Sequence, residues 1–223
     1  MDVGGCKMTD KLLALFEKSF PLTELSCGEF EKMKVSGMSF RIRRFAAEGL
    51  GHVSLMTASG FLGLMKMDTL VVTPTRRDMP LLSYDRVLAM GNDTLIYELY
   101  DTLLSPVDLS ALEEEKRATA ALPDHDLGPH WYDSIKLPQS VSKKGKKAHR
   151  AAFDDLAVRY LEKYLALAEN APCCEAAPKR EKAAVYTDGL LKNGGPATDI
   201  FLKSIGEEKT ARLFREVLFA SAE

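Results

Sequence analysis

The sequence predicts an α+β fold, of the three-layer sandwich type, built around a central and mainly antiparallel sheet. One helical segment is followed by several strands and then by further helices, an order that differs from the βαβ alternation of parallel folds. The connections between the strands are too short for crossover helices, which favours antiparallel pairing. Nowhere do the 223 residues have the composition of a linker. We therefore expect a single domain over residues 1–223.

The first half of the chain carries the first helix and the strands. Leucines and phenylalanines recur at helical spacing over residues 9–20, and Pro21 ends that segment. Alternation of apolar and polar residues predicts strands over 38–48, 52–57 and 64–73. The strands 81–89 and 94–100 then form a hairpin around Gly91, Asn92 and Asp93. These segments predict a meander of four or five strands.

The second half is predominantly helical. We predict helices over 107–122, 148–170, 181–192, 197–205 and 207–220, separated by an irregular stretch at 123–142 and a loop at 171–180. The segment 148–170 has the broadest apolar stripe and is therefore expected to cover one face of the sheet. Gly206 separates the last two helices.

Composition excludes several classes of protein. Hydrophobic residues make up 46% and charged residues 28%, as in globular proteins. The net charge of −2 gives no overall attraction to nucleic acid or to an anionic membrane, so a charged partner would need a local patch. No run reaches the roughly 18–20 apolar residues of a membrane span. Lys7, Asp10 and Lys11 interrupt the region where a signal peptide would need its apolar core. We expect a cytoplasmic protein.

The common cofactor motifs are missing. The chain has no Gly-x-Gly-x-x-Gly, no phosphate-binding Gly-Lys-Ser/Thr loop and no His-Glu-x-x-His. Its four cysteines lack the Cys-x-x-Cys spacing of metal and iron–sulfur sites, and we expect free thiols. The sequence therefore predicts no bound flavin, nicotinamide or metal.

Three polar residues of the strand region are candidates for chemistry. Asp85 lies in an otherwise apolar strand, either as a solvent-facing acid or as a proton donor whose pKa is raised in an apolar cleft. Glu98 shares a face with Tyr100 by alternation and is either a solvated edge residue or a neighbour of Asp85 that raises the pKa of Asp85. His52 opens a strand, where it is either an ordinary polar residue or a proton relay.

Several segments together resemble ferredoxin-dependent bilin reductases. Residues 195–219 are similar to the C-terminal signature of that family, in which a Gly-Glu-Glu turn opens a final helix that ends in Val-Leu-Phe. Thr73-Pro74, the run 79–82 and Asp85 match a family layout in which a Leu-Pro-Leu-like run is closed by an acid. Trp131 matches a Pro-Pro-Trp element, and Lys192-Asn193, before Gly195-Pro196-Ala197, lie where the family has its last catalytic segment. The resemblance extends with gaps over residues 38–220.

The resemblance implies a fold, a reaction and a set of site residues. The fold is a three-layer α/β/α sandwich that holds the bilin between the sheet and the C-terminal helices. The reaction is reduction of a biliverdin-like linear tetrapyrrole by sequential electron and proton transfer, with reduced ferredoxin as donor and no bound cofactor. Asp85 corresponds to the central proton-donating aspartate, assisted by His52 or Glu98. His52 lies roughly at the His-x-Glu motif of the phycocyanobilin:ferredoxin oxidoreductase branch.

The remaining predicted residues concern substrate and partner binding. Arg41, Arg43 and Arg44 are candidates for binding the bilin propionates, because guanidinium groups bind carboxylates bidentately. Trp131 and Asn193 are further substrate-binding candidates by resemblance. Four lysines are either a solvated loop and helix start or a docking site for ferredoxin: Lys143, Lys144, Lys146 and Lys147.

Two positions depart from the family pattern. Ser54 stands where the histidine motif has its glutamate, and Gly195 stands where many members have a second proton-donating aspartate. Three alternatives to the bilin reductase therefore stay open. The first is a non-catalytic tetrapyrrole-binding protein, and the second is a reductase of another open-chain tetrapyrrole, similar to red chlorophyll catabolite reductase. The third is a relative in fold that has no tetrapyrrole function.

Overall fold

The computed structural model describes residues 8–222, and within them the chain forms one eight-stranded sheet. The strand order is β1-β3-β4-β5-β6-β7-β8, with β2 paired to β3 beside β1. Every pairing is antiparallel, as the short connections predicted. The strands are β1 Leu22–Leu25, β2 Lys32–Val35, β3 Met38–Ala47, β4 Gly51–Gly60, β5 Met65–Pro74, β6 Leu81–Ala89, β7 Asn92–Tyr100 and β8 Val141–Lys146.

Helices cover both faces of the sheet, which confirms the three-layer prediction. One face carries α1 Met8–Ser19, α2 Ser110–Ala118 and α3 Arg150–Asn170. The opposite face carries α4 Ala176–Asn193, α5 Pro196–Ile205, α6 Glu207–Arg212 and a π-helical turn over Leu213–Leu218. We call these the α3 face and the α4 face.

Side-chain alternation divides the strands between two apolar cores. On the α3 face Leu70, Tyr84 and Tyr97 are fully buried beneath the helices. On the α4 face Ile42 and Leu81 pack against the C-terminal helices. Each such side chain contributes about 1.5–3 kcal/mol on burial. A slip of one residue would exchange the two faces, so this burial fixes the register.

The structure differs from the sequence prediction in three places. Strands β1, β2 and β8 were not predicted, since the first two have four residues each and β8 is rich in lysine. Helix α4 begins at Ala176, inside the predicted loop, because Pro178 falls in its first turn, where a missing N–H costs nothing. The last helix is α-helical only to Arg212, and the Phe219 N–H then donates to the Phe214 carbonyl at 2.9 Å in the π pattern.

Two further observations bear on the predicted class of protein. None of the helices within 8–222 combines the length and apolarity needed to cross a bilayer. Cys27, Cys173 and Cys174 are free thiols, whereas Cys6 and Lys7 lie outside the described residues.

Candidate functional site

Asp85 lies on β6, near the centre of the sheet, with its side chain on the α4 face. Its neighbour Tyr84 points to the α3 face, where it is fully buried. Thr69 is the directly opposite residue on β5, and its hydroxyl donates to Asp85 Oδ1 at 2.5 Å. The side chain of Asp85 is half-buried although protein atoms surround the carboxyl. The carboxyl is therefore desolvated by its neighbours while the residue as a whole keeps some exposed surface.

The surroundings raise the pKa of Asp85 to about 6. Burial is the largest cause, because a carboxylate loses hydration when it leaves water. Hydrogen bonds from Thr69 and Ser83 oppose the rise, and the charge of Glu98 adds to it. Asp85 therefore exchanges its proton close to neutral pH.

A chain of three hydroxyl and carboxyl groups lies beside Asp85. The Tyr186 hydroxyl, from α4, donates to the Tyr100 hydroxyl at 2.7 Å, and Tyr100 donates to Glu98 Oε2 at 2.5 Å. The Tyr100 and Tyr186 rings stack with their centroids 3.7 Å apart. Glu98 Oε1 has no hydrogen-bond partner among the described residues, and the Lys136 ammonium stands 3.8 Å away. Burial raises the pKa of Glu98, while Tyr100 and Lys136 lower it.

Aromatic rings form one wall of the site next to this chain. Trp131 stacks on Tyr186 with centroids 5.8 Å apart, and Tyr132 meets Tyr100 edge-on at 5.5 Å. Trp131 fits against α4 only because residue 189 is glycine: a Cβ there would lie 2.1 Å from the indole. Trp131, predicted from resemblance, is thus part of the wall that contacts the Glu98 chain.

The floor around Asp85 is apolar and incompletely covered. Central strands of a sheet with helices on both faces normally bury their side chains. Here Met67, Val87 and Ile96 are only partly buried on the α4 face. The C-terminal helices contribute further half-buried apolar side chains, including Leu190 and Ile200. Together these residues surround one central carboxyl with partly exposed apolar side chains, and we call the region between them the apolar cleft. Apolar surroundings with few polar groups are the usual chemistry of a small-molecule site.

His52 and Ser54 lie on the α4 face but not beside Asp85. The row of Asp85 crosses β4 at Met56, four residues or about 13 Å along the strand from His52. The His52 Nε2 atom lies 2.9 Å from the Val217 carbonyl, and the Ser54 hydroxyl donates to the next carbonyl at 2.8 Å. Both side chains therefore attach the π-helical turn to the sheet.

Arg41 and Arg43 lie on the α3 face, across the sheet from Asp85. Arg43 donates two hydrogen bonds to the Glu24 carboxylate, at 2.7 and 2.8 Å. Arg41 is exposed at the rim of a groove on the same face. The arginine that reaches the C-terminal segment is Arg44, whose guanidinium donates to the Glu216 carbonyl at 2.6 Å.

Asn193 and Gly195 lie at the junction of α4 and α5. The Asn193 amide donates to the Gly189 carbonyl at 3.0 Å, within its own helix, and its side chain is exposed. The Gly195 N–H points to the Asp199 carboxylate at 3.4 Å, so this acid bonds the start of α5.

The four predicted docking lysines occupy or follow β8 and are not equivalent. Lys143 is buried on the α3 face and donates to Asp124 Oδ1 at 2.6 Å. Lys144, Lys146 and Lys147 are exposed, and Lys146 donates to Asn92 Oδ1 at 2.6 Å. Three of the four are therefore accessible to a partner. No group of three metal-ligating side chains comes together within the described part of the chain.

These features define a class of protein: an α/β/α sandwich that carries an acid-containing apolar cleft on one face of its antiparallel sheet. The fold is shared with a crystal structure of selenomethionine-labelled phytochromobilin synthase from tomato in complex with biliverdin. The TM-score is 0.79 at 11% identity, over 96% of this chain and 83% of the tomato chain. No protein-family model matches the sequence, and no curated protein matches it either.

Several residues of the site were not predicted. Thr69 and Ser83 bond the Asp85 carboxyl, and Tyr186 extends the Glu98 chain from a distant helix. Knowledge of the β5–β6 register would have identified Thr69, since that register sets Thr69 directly opposite Asp85. No local pattern marks Tyr186, which reaches Tyr100 only through packing of α4 on the sheet.

Proposed function

We propose that this protein reduces a biliverdin-like linear tetrapyrrole, with electrons from reduced ferredoxin and a proton from Asp85. Three lines of support converge: the sequence resemblance to ferredoxin-dependent bilin reductases, the fold shared with a biliverdin-bound protein, and the cleft on the α4 face. The observation that carries the proposal is the half-buried carboxyl of Asp85, with a pKa of about 6, in an apolar cleft.

The pKa of Asp85 suits proton donation at neutral pH. A general acid works best when its pKa lies near the working pH, because a protonated fraction persists and the proton still leaves readily. With a pKa of about 6, roughly a tenth of the Asp85 carboxyls carry a proton at pH 7. An unperturbed aspartate would be protonated about a hundred times less often.

The proposed reaction adds two electrons and two protons to one double bond of the pigment. Two molecules of reduced ferredoxin each give one electron and are oxidised, and the conjugated pigment holds the unpaired electron between the two transfers. Asp85 gives one proton to the pigment and is reprotonated from water through the cleft. Glu98, beside it, supports the second proton transfer and raises the pKa of Asp85.

The other candidate residues take supporting roles in this proposal. The Trp131 wall stacks against the conjugated rings, and Asn193 bonds a polar edge of the pigment at the end of α4. His52 holds the C-terminal turn over the cleft through the Val217 carbonyl. Ferredoxin docks on the exposed lysines of β8, Lys144 and Lys146, and on Lys147.

Arg41 and Arg43 face away from the proposed cleft, so they do not contact the propionates of a bilin held there. Arg44, the residue after Arg43, lies on the α4 face. Its guanidinium donates to the carbonyls of Ser26 and Glu216. We propose that the propionates extend toward solvent at the mouth of the cleft.

A second candidate is a non-catalytic tetrapyrrole-binding protein, or a reductase of another open-chain tetrapyrrole similar to red chlorophyll catabolite reductase. The observation in its favour is Gly195, which supplies no acid at the start of α5, while the nearby Asp199 bonds the helix start. This alternative shares the cleft and differs in the reaction.

Two measurements test the proposal. Purified protein is mixed with biliverdin and its visible spectrum is recorded; binding should shift or sharpen the pigment band. Reduced ferredoxin is then added without oxygen, and loss of biliverdin is followed. Asp85→Asn should keep binding and lose turnover by about 10²–10⁴-fold, as expected when a general acid is removed.

Asp68→Asn is the matched control, since Asp68 precedes Thr69 on β5 and lies on the α3 face. It should leave turnover within a few-fold of the original. Absence of any spectral change at micromolar protein would overturn both candidates. Tight binding without turnover in the unmodified protein would leave only the binding protein or the alternative substrate.

A further inference from the structure

One end of the sheet carries a concentration of exposed apolar side chains. The β4–β5 connection and the β6–β7 hairpin both turn there, because Gly60 pairs with Met65 and Met65 with Ala89. The exposed fractions are 62% for Phe61, 105% for Leu62 and 71% for Leu64, and Met90 at the adjacent hairpin is 90% exposed. We call these four residues the apolar tip.

The backbone at the apolar tip makes these side chains unexpected. Phe61, Leu62 and Met90 have φ angles of 51°, 56° and 51°. Turns with this left-handed conformation favour Gly, Asn or Asp, because a larger side chain costs about 1–2 kcal/mol there. The chain places bulky apolar residues at three such positions and exposes all three. Neither the turn conformation nor the core explains the choice, so a contact outside the molecule is the remaining physical reason.

A basic groove adjoins the apolar tip on the α3 face. Its volume is about 760 Å³, and its floor carries the hydroxyls of Ser39, Thr57 and Ser59. The cations that line it are Lys32, Lys34, Arg41, Lys66 and Arg86.

Acidic groups offset only part of this charge. Arg86 is bonded to Asp93 and to Asp154, so these two carboxylates neutralise Arg86 and not the lysines of the groove. Among the described residues that line the groove, Asp68 is the one carboxylate. Lys32, Lys34 and Lys66 are exposed, so a net positive charge faces outward beside the apolar tip.

We propose that this end of the protein binds the surface of a bilayer containing anionic phospholipid. The apolar tip would enter the boundary between headgroups and acyl chains, and the groove would hold lipid phosphates through its lysines and hydroxyls. Apolar insertion combined with basic residues is how peripheral proteins attach to such surfaces. A fully exposed leucine on a turn can insert into the acyl chains of a bilayer, whereas a flat protein surface offers it no pocket.

Vesicle co-sedimentation tests this proposal with the full chain and needs no pigment. Vesicles of phosphatidylcholine alone are compared with vesicles of phosphatidylcholine and phosphatidylglycerol in equal parts. The protein should sediment with the anionic vesicles only, and added NaCl should weaken the binding, since salt screens exposed charges.

Two double variants separate the two parts of the surface. Phe61→Asn with Leu62→Asn keeps residues that accept the left-handed backbone and removes the apolar side chains; we expect binding to weaken by about tenfold or more. Lys34→Glu with Lys66→Glu should weaken it by on the order of tenfold or more. Val185→Asn, at a 59% exposed apolar residue of α4, is the matched control and should change nothing.

No sedimentation of the unmodified protein with anionic vesicles, or undiminished sedimentation of both double variants, would overturn the membrane proposal. Binding of glycerol phosphate in the groove without vesicle binding would identify a free-phosphate site instead. Unchanged vesicle binding with a raised KM for ferredoxin in the double variants would identify a protein-docking surface. The vesicle results are independent of bilin turnover.

Discussion

Replacing Asp85 by asparagine should stabilise the folded protein at neutral pH and leave its stability nearly unchanged at pH 4. The introduced amide has the same shape as the carboxyl, and its carbonyl oxygen still accepts the hydrogen bond that Thr69 donates at 2.5 Å. What changes is the charge. At neutral pH the native carboxyl is mostly ionised in a place where burial disfavours ionisation.

The size of the effect follows from the two pKa values of Asp85. In the unfolded chain the pKa is 3.8, and in the folded protein it is about 6. The folded state therefore binds the proton more tightly, and the stability that this provides is complete below pH 4 and is lost as the pH rises through 6. At about 1.4 kcal/mol per pKa unit the loss approaches 3 kcal/mol. Because Asp85 keeps some exposed surface, we expect about 1–3 kcal/mol.

Urea unfolding of the two proteins at pH 4 and at pH 7.5 measures this difference. The Asp85→Asn protein should exceed the original by about 1–3 kcal/mol at pH 7.5, and the two should agree at pH 4. Asp155→Asn, at an exposed aspartate of α3, serves as control and should show no such pH dependence. A destabilised Asp85→Asn protein at pH 7.5, or an equal change at both pH values, would refute the assignment of Asp85 as a buried acid with a raised pKa.

Three other substitutions test the surroundings of the site. Tyr100→Phe removes the donor to Glu98 and should cost about 1–3 kcal/mol in urea unfolding, more at pH 8 than at pH 5, because that bond favours the ionised carboxylate; equal losses would contradict this. Gly189→Ala should displace Trp131, the single tryptophan, and shift its fluorescence maximum. An unchanged spectrum would show that helix α4 moves instead of the indole. Lys179→Leu removes a fully buried ammonium bonded to two backbone carbonyls at 2.6 Å, and the midpoint temperature of thermal unfolding should fall by several degrees. An unchanged midpoint would show that those bonds contribute nothing to stability.

The strands that could be predicted are those with strong local signals. Alternation and a Gly-containing turn identified β3 to β7, and the turn itself lies at Met90 and Gly91, one residue earlier than predicted. Strand β8 is mostly lysine and glycine, which have low strand propensity, and it exists because β7 offers its backbone edge. That pairing joins segments about 50 residues apart, so no short stretch of the sequence could predict it.

The site could be predicted only where the alternation along one strand was sufficient. Glu98 and Tyr100 lie on one face as predicted, and Glu98 is among the groups that raise the pKa of Asp85. Arg41 was predicted to meet the pigment, but its face relative to Asp85 depends on the registers of three successive strand pairs. Sequence alternation places residues on one of two faces without saying which faces coincide between strands.

The two faces of β6 explain how an acid is kept at the centre of the sheet. On the α3 face, Tyr84 is fully buried, and Arg86 is fixed by two carboxylates. These contacts hold the backbone on either side of Asp85, so the strand cannot shift to bring the carboxyl into water. The protein accepts the free-energy cost of a buried carboxylate, and the packing on the α3 face offsets it. Under the proposed function, a substitution that removes this cost also removes the proton donor, which is the trade-off expected between stability and activity.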